Sequence, residues 1–160
     1  MMHKTLLILI CFLIFKSLSA QDFVFKKEKI FFGDKELSKN SNFRKVFGKP
    51  DRIESNENYE AFYYDDLQFS YLVRTGGQIQ LRLCDVINGG IVLFKNSIYL
   101  NELKIDQNTH LYKVLRVENF VPYELDGGDN NGRLEFKANT YWIEIIYEPN
   151  YHIFLFKAYL

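Results

Sequence analysis

The sequence has few cysteines: two among its 160 residues, beside three histidines and three prolines. Cys11 lies in the apolar start of the chain, so Cys84 is the only thiol left for the rest. A single cysteine cannot form an internal disulfide, and it cannot supply the cysteine cluster of a structural zinc site. The fold is therefore expected to depend on its hydrophobic core, and no metal or other cofactor is predicted.

The sequence also lacks a surplus of positive charge. Lys and Arg number 20, and so do Asp and Glu. The first twenty residues contain two of the lysines, Lys4 and Lys16, which leaves 18 basic against 20 acidic side chains in the remainder. Because binding of nucleic acid needs a basic face, no nucleic-acid partner is predicted.

Residues 1–20 have the layout of a secretory signal peptide. A short basic start, Met1–Lys4, precedes the apolar run Thr5–Phe15, and the small residues of Ser17–Ala20 follow. The run of about eleven residues is shorter than the roughly twenty that a spanning helix needs. The segment predicts export to the periplasm or the extracellular space, cleavage after Ala20 and no stable membrane insertion afterwards. An uncleaved anchor is the alternative.

Two segments of the chain repeat one pattern. Residues 30–47 read IFFGDKELSKNSNFRKVF, and residues 98–115 read IYLNELKIDQNTHLYKVL, which aligns without a gap at an offset of 68. A fixed period of this kind indicates a structural repeat. We therefore expect one domain over 21–160, made of two repeats at about 28–90 and about 96–160. The identical pairs are Ile30/Ile98, Asn40/Asn108, Lys45/Lys113 and Val46/Val114.

Each repeat predicts one short strand followed by one short helix. The strands are Lys29–Phe32 and Ser97–Leu100. Apolar residues then recur at i, i+3 and i+4, which places them on one helix face. Ser38 and Asp106 are predicted to cap the two helices. The apolar triplets are Phe43, Val46 and Phe47 in the first copy, and Leu111, Val114 and Leu115 in the second.

After each helix the apolar period changes to two, which predicts antiparallel strands. Residues 67–73 and 79–83 alternate in the first copy, and residues 141–147 and 153–155 alternate in the second, at an offset of 74. A further strand precedes each pair, and Asp22–Lys27 is a candidate edge strand. The fold class is therefore α+β: two tandem β-α-β-β-β repeats form an antiparallel sheet of about eight strands, with the two helices packed on one face. The preceding strands are Glu60–Tyr64, with Phe62 and Tyr64 inward, and Arg133–Ala138, with Leu134 and Phe136 inward.

The copies differ on the sheet face that points away from the helices. The first copy presents an ordinary solvated surface there, and the second presents aromatic residues. Exposed aromatic clusters are candidate contact sites. The alternative is a small satellite core, covered by Asp22–Lys27 or by the long loop within 119–131. The first copy has Gln68, Ser70, Arg74, Gln78, Gln80 and Arg82. The predicted binding residues of the second copy are Trp142, His152, Phe154, Phe156 and Ile146, with Glu144 and Glu148 on the same face.

No catalytic residue is predicted. Cys84 with His110 or His152 lacks a third group to orient the histidine. The adjacent Asp65 and Asp66 would point to opposite sides of a strand. The loop Glu124–Gly132 is rich in Asp, Asn and Gly but lacks the spacing and the closing glutamate of a calcium loop, so a plain turn is favoured over a metal site.

The chain resembles two kinds of small bacterial module. A tandem duplication with a short helix and antiparallel strands in each copy, behind a signal peptide, resembles the β-lactamase-inhibitor-protein-like architecture. The segment Phe43–Asp51 resembles the helix-then-Gly-x-Pro joint of envelope modules of the outer-membrane assembly lipoprotein type. In uncharacterised bacterial secreted domains a strand like Tyr64–Leu67 follows that joint. The resemblance implies a concave sheet that grips a protein, although this chain lacks the inhibitors' disulfides and the lipoproteins' lipidation cysteine.

These observations predict an exported, non-enzymatic binding module. The expected partner is another protein, held by the sheet face in the manner of an inhibitor or immunity factor. The alternative is a periplasmic protein that binds a glycan or another small ligand through its exposed aromatic residues.

Overall fold

The computed structural model describes residues 21–87, 90–93, 95–106, 108–127, 132–148 and 153–160. The predicted signal peptide, His152 and part of the Glu124–Gly132 loop lie outside these residues. Within the described ranges there are two short helices, α1 (Phe43–Phe47) and α2 (Leu111–Val114), and residues Asp65–Leu67 form one 3₁₀ turn. The strands are β1 (Phe23–Lys26), β2 (Lys29–Phe32), β3 (Lys35–Leu37), β4 (Arg52–Ser55), β5 (Tyr59–Tyr64), β6 (Phe69–Arg74), β7 (Ile79–Arg82), β8 (Cys84–Ile87), β9 (Gly90–Leu93), β10 (Ile98–Leu100), β11 (Leu103–Ile105), β12 (Pro122–Gly127), β13 (Gly132–Lys137), β14 (Trp142–Tyr147) and β15 (Ile153–Tyr159).

The largest sheet has eight antiparallel strands in the order β12-β13-β14-β15-β7-β6-β5-β4. Each half of the chain supplies a meander of four strands, and the last strands of the two meanders, β7 and β15, meet at the centre. Phe62 and Tyr64 in β5, and Leu134 and Phe136 in β13, are buried as predicted. The structure is mostly β with two short helices and largely antiparallel sheets, in agreement with the predicted α+β class. The predicted β-α-β-β-β order in a single sheet is wrong, because four strands of the large sheet follow each helix and the strands before the helices do not join it.

A second sheet of five strands shares the helix side of the large sheet. Its order is β11-β10-β1-β2-β3, and β8 and β9 form a separate hairpin. The prediction that Asp22–Lys27 forms an edge strand is wrong, because β1 lies inside this sheet, parallel to β10 and antiparallel to β2. Helices of five and four residues are too short to cover an eight-stranded sheet. The hairpins before each helix therefore complete the layer.

Aromatic rings join the two sheets. Phe23 and Phe25 in β1 are completely buried. The ring centroid of Phe23 lies 5.6 Å from that of Phe69, and the centroid of Phe25 lies 5.1 Å from that of Phe156. Phe47 of α1 packs 4.9 Å from Phe69 in the same way. Alternating strand residues and one face of each helix thus meet in one aromatic core.

The helix caps are not the predicted residues. Asn42 caps α1, since its side chain accepts a hydrogen bond from the Lys45 backbone N–H at 3.0 Å. His110 caps α2, since its Nδ1 accepts a hydrogen bond from the Tyr112 backbone N–H at 3.3 Å. Ser38 and Asp106, the predicted caps, each begin a tight turn four residues earlier, in which a hydroxyl three residues later accepts from their backbone N–H at 2.9 Å. Each helix therefore begins about one turn later than the predicted cap implies.

Among the described residues, no helix has the length and apolar character needed to cross a membrane.

Candidate functional site

A β-bulge in β15 changes which side chains reach the outer face, by which we mean the face of the eight-stranded sheet away from the five-stranded sheet. Tyr147 pairs with Ile153, whereas the preceding Ile146 pairs with Leu155, so Phe154 is an extra residue in the strand. Every residue after the bulge therefore points to the side opposite to the one predicted. The prediction that Phe156 belongs to the contact cluster is wrong: Phe156 is completely buried and packs against Phe25.

The predicted cluster is reduced to Trp142 and Ile146 on the outer face. Trp142 is 37% exposed and Ile146 is half-buried. Phe154 lies at the bulge, and its side chain is not among those that the structure describes. The suggestion that Asp22–Lys27 covers these residues is also wrong, because β1 packs on the opposite face of the sheet.

Two rows of paired residues cross the outer face. The first, the charged row, carries three cationic and two acidic side chains. The second, the aromatic row, runs beside it and holds the stacked pair Trp142 and Tyr159, whose ring centroids lie 4.6 Å apart. Directly opposed residues of an antiparallel pair share a face, so the register places each row on one side of the sheet. The charged row is Arg52, Tyr63, Ser70, Arg82, Lys157, Glu144 and Glu135. The aromatic row is Glu54, Ala61, Leu72, Gln80, Tyr159, Trp142 and Lys137.

A chain of side-chain hydrogen bonds connects the two halves of the sheet. Arg74 donates to the amide oxygen of Gln80 at 3.2 Å, and the Gln80 amide nitrogen donates to the Tyr159 hydroxyl at 3.1 Å. Tyr159 then donates to Glu144 Oε2 at 2.6 Å, and Lys157 donates to the same oxygen at 3.0 Å. Networks of this kind hold their members in fixed rotamers. The tyrosine on which Trp142 stacks is therefore fixed in position.

The network determines the charge of Glu144. Burial opposes ionisation of this carboxyl, but the hydrogen bonds from Tyr159 and Lys157 outweigh burial and hold the pKa of Glu144 below its usual value. Burial, together with the hydrogen bond to Glu144, raises the pKa of Tyr159. At neutral pH the pair is thus a carboxylate and a phenol that donates to it.

The first half of the outer face is less solvated than the sequence predicts. Ser70 is only 4% exposed and Gln80 only 2% exposed, although the sequence predicts an ordinary solvated surface for both. Larger neighbours on the same face, such as Tyr63 and Arg82, stand beside these small or hydrogen-bonded residues. Strand alternation identifies the face of a residue but gives no measure of how far longer neighbours cover it.

Two cavities of different size lie on different parts of the surface. A pocket of about 180 Å³ beside Trp142 is lined by Glu135, Phe136 and Lys137. Binding sites for small molecules usually measure about 300–1,000 Å³, so this pocket is small for a ligand. An open groove of about 920 Å³, which the sequence analysis missed, lies where the outside of the five-stranded sheet meets the end of α2. Its lining includes Val24, Lys26, Tyr99, Leu103, Arg116 and Glu118.

The described residues bring together no catalytic set. His110 caps α2 and packs beside Tyr112, and Cys84 begins β8 after the central strand β7. Asp65 accepts two hydrogen bonds from Arg52 and lies in the 3₁₀ turn. No three of the described His, Cys, Asp and Glu side chains form a group suited to a metal ion. The predicted Glu124–Gly132 loop is shorter than expected, because Glu124–Gly127 belong to β12 and Gly132 begins β13. Residues 128–131 lie outside the described residues.

Comparison of the chain with protein-family models, with curated proteins and with solved structures finds no match.

Proposed function

We propose that this chain is an exported, non-enzymatic binding protein built from two copies of one structural unit, and that it holds another protein on its outer face. The duplication is supported by local geometry. The same turn, in which a hydroxyl accepts from the backbone N–H three residues before it, precedes α1 and α2. Each helix is followed by a four-stranded meander.

One observation supports the outer face most strongly. Trp142 is exposed, yet it stacks on Tyr159, and Tyr159 is fixed by hydrogen bonds from Gln80 and to Glu144. Side chains that dominate protein interfaces are typically aromatic residues or arginines surrounded by polar neighbours. A rigid aromatic group loses little conformational entropy on binding. The hydrogen-bonded neighbours of Trp142 and the small size of the pocket beside it fit a protein surface better than a small ligand.

A test uses three tagged forms of the protein: wild type, Trp142→Ala and Tyr112→Ala. Tyr112 is the matched control, since it is 47% exposed but lies on α2, away from the outer face. Each form is used to capture proteins from the envelope and culture fluid of the producing cells. We expect a protein that is retained by wild type and Tyr112→Ala and lost with Trp142→Ala. Recovery that is equal with all three forms contradicts the proposal.

The second candidate is binding of a glycan, because one face of the Trp142 ring stacks on Tyr159 and the small pocket lies beside the same side chain. Trp142 is the only tryptophan, so its fluorescence reports on this site alone. Titration with oligosaccharides from the cell envelope separates the two functions. A saturable change in Trp142 emission favours the glycan, and no change favours the protein partner.

A further inference from the structure

We infer that the protein partner presents acidic side chains to the outer face, and that Arg82 receives one of their carboxylates. This inference rests on the proposed function and specifies the chemistry of the partner. Arg82 lies at the centre of the charged row, between Ser70 and Lys157. It occupies β7, one of the two strands at which the halves of the large sheet meet.

One donor of Arg82, its Nε, is unsatisfied within the described residues. Its Nε is shielded from solvent and has no hydrogen-bond partner in the part of the chain that the structure describes. A buried donor without an acceptor is uncommon in folded proteins, because its desolvation is not compensated. The residue as a whole is half-buried, so part of Arg82 is open to a partner. A guanidinium with two N–H groups available can bind a carboxylate through two parallel hydrogen bonds.

The two halves of the sheet differ in whether a carboxylate stands opposite the cationic side chain. Ser70 pairs with Arg82 across β6 and β7, and Glu144 pairs with Lys157 across β14 and β15. These pairs occupy corresponding places in the two meanders. In the second half the cation has its carboxylate, with Lys157 Nζ 3.0 Å from Glu144 Oε2. In the first half a serine stands where the carboxylate would be.

The surrounding charges favour the same ligand. Arg74 also lies on the outer face, and it donates to the neutral amide of Gln80 instead of a carboxylate. Arg74 and Arg82 both lie near enough to Tyr159 to oppose the rise in its pKa. Arg52, at the end of the charged row, is by contrast bound by Asp65 and Glu54. Two guanidinium groups near the centre of the face thus lack an acidic partner among the described residues.

The test measures binding of a fluorescein-labelled octaglutamate peptide, amidated at its C-terminus, by anisotropy at low ionic strength, where charge interactions are screened least. Octaglutamine is the uncharged control peptide. We expect wild type to bind octaglutamate and not octaglutamine. We expect Arg82→Gln to lower the affinity for octaglutamate by about tenfold or more. Arg52→Gln removes one positive charge from the same row, but that arginine already has carboxylate partners. We therefore expect it to change affinity by less than about twofold.

A second variant keeps Arg82 but supplies it with a carboxylate partner from the chain itself. Ser70→Glu places a carboxylate opposite Arg82, as Glu144 stands opposite Lys157, and we expect it to abolish binding of octaglutamate. Far-UV circular dichroism checks that each variant is folded. The inference is overturned if wild type does not bind octaglutamate, if Arg52→Gln and Arg82→Gln weaken binding equally, or if Ser70→Glu binds as well as wild type. A captured partner that depends on Trp142 but not on Arg82 overturns this inference and leaves the proposed function standing.

Discussion

Replacement of Phe156 and of Trp142 by alanine separates a core residue from a contact residue. Phe156 is completely buried and lies against Phe25, so Phe156→Ala leaves a cavity between the two sheets. Such changes cost about 3–5 kcal/mol of unfolding free energy. Trp142 is 37% exposed and stacks on one ring. Its loss removes the stacking, worth about 0.5–1.5 kcal/mol, and part of its burial, so we expect about 1–2 kcal/mol in total.

Urea denaturation measures both changes. With a slope of about 2 kcal/mol per molar urea, the midpoint should fall by about 2 M for Phe156→Ala and by about 0.5–1 M for Trp142→Ala. Because Trp142 is the only tryptophan, unfolding is followed by far-UV circular dichroism in all forms. A cost for Trp142→Ala as large as that for Phe156→Ala would show that Trp142 is a packing residue, and would refute its assignment to a contact surface.

Three other predictions concern charge, capping and packing. The pKa of Glu144 is lowered in the folded protein, so its ionised form stabilises the fold above the unfolded pKa, and this contribution is lost as pH falls through the folded pKa. The melting-temperature advantage of wild type over Glu144→Gln should therefore be largest near neutral pH and shrink below about pH 4; an advantage that stays constant from pH 7 to pH 3 contradicts the assignment. Urea denaturation should show that Asn42→Ala lowers the free energy of unfolding by about 1 kcal/mol. Ser38→Ala, at the predicted cap, should lower it by less than about 0.5 kcal/mol. A larger loss for Ser38→Ala than for Asn42→Ala would show that Ser38 is the cap. A Cβ on Gly132 would clash with the buried ring of Tyr147, so Gly132→Ala should destabilise the fold by about 1–3 kcal/mol. Thermal melting that matches wild type would contradict this packing.

The repeated apolar pattern predicts much of the framework. Phe43 and Leu111 begin the helices where the i, i+3, i+4 spacing places them. Strand alternation also predicts four buried residues correctly, because alternate side chains of a strand face the core when one side of the sheet is covered. These residues are Phe62, Tyr64, Leu134 and Phe136. These features depend on residues that are neighbours along the chain.

The features that sequence reasoning missed depend on partners that are distant in the chain. Alternation of apolar residues along a strand does not reveal the extra residue at Phe154. That bulge places Phe156 in the core instead of on the outer face. The place of β1 follows from its pairing with β10, which lies about seventy residues away. The hydrogen-bond network from Arg74 to Glu144 likewise depends on residues that are far apart in the chain, because it joins the two halves of the sheet.

The central claim is that a protein partner covers the outer face at Trp142. Photo-crosslinking in the producing cells tests it most directly, with a photoreactive amino acid placed at position 142 or, as the control, at position 112 on α2. The account predicts one discrete crosslinked protein from position 142 that is absent from position 112. Crosslinks from position 112 with none from position 142 would contradict it.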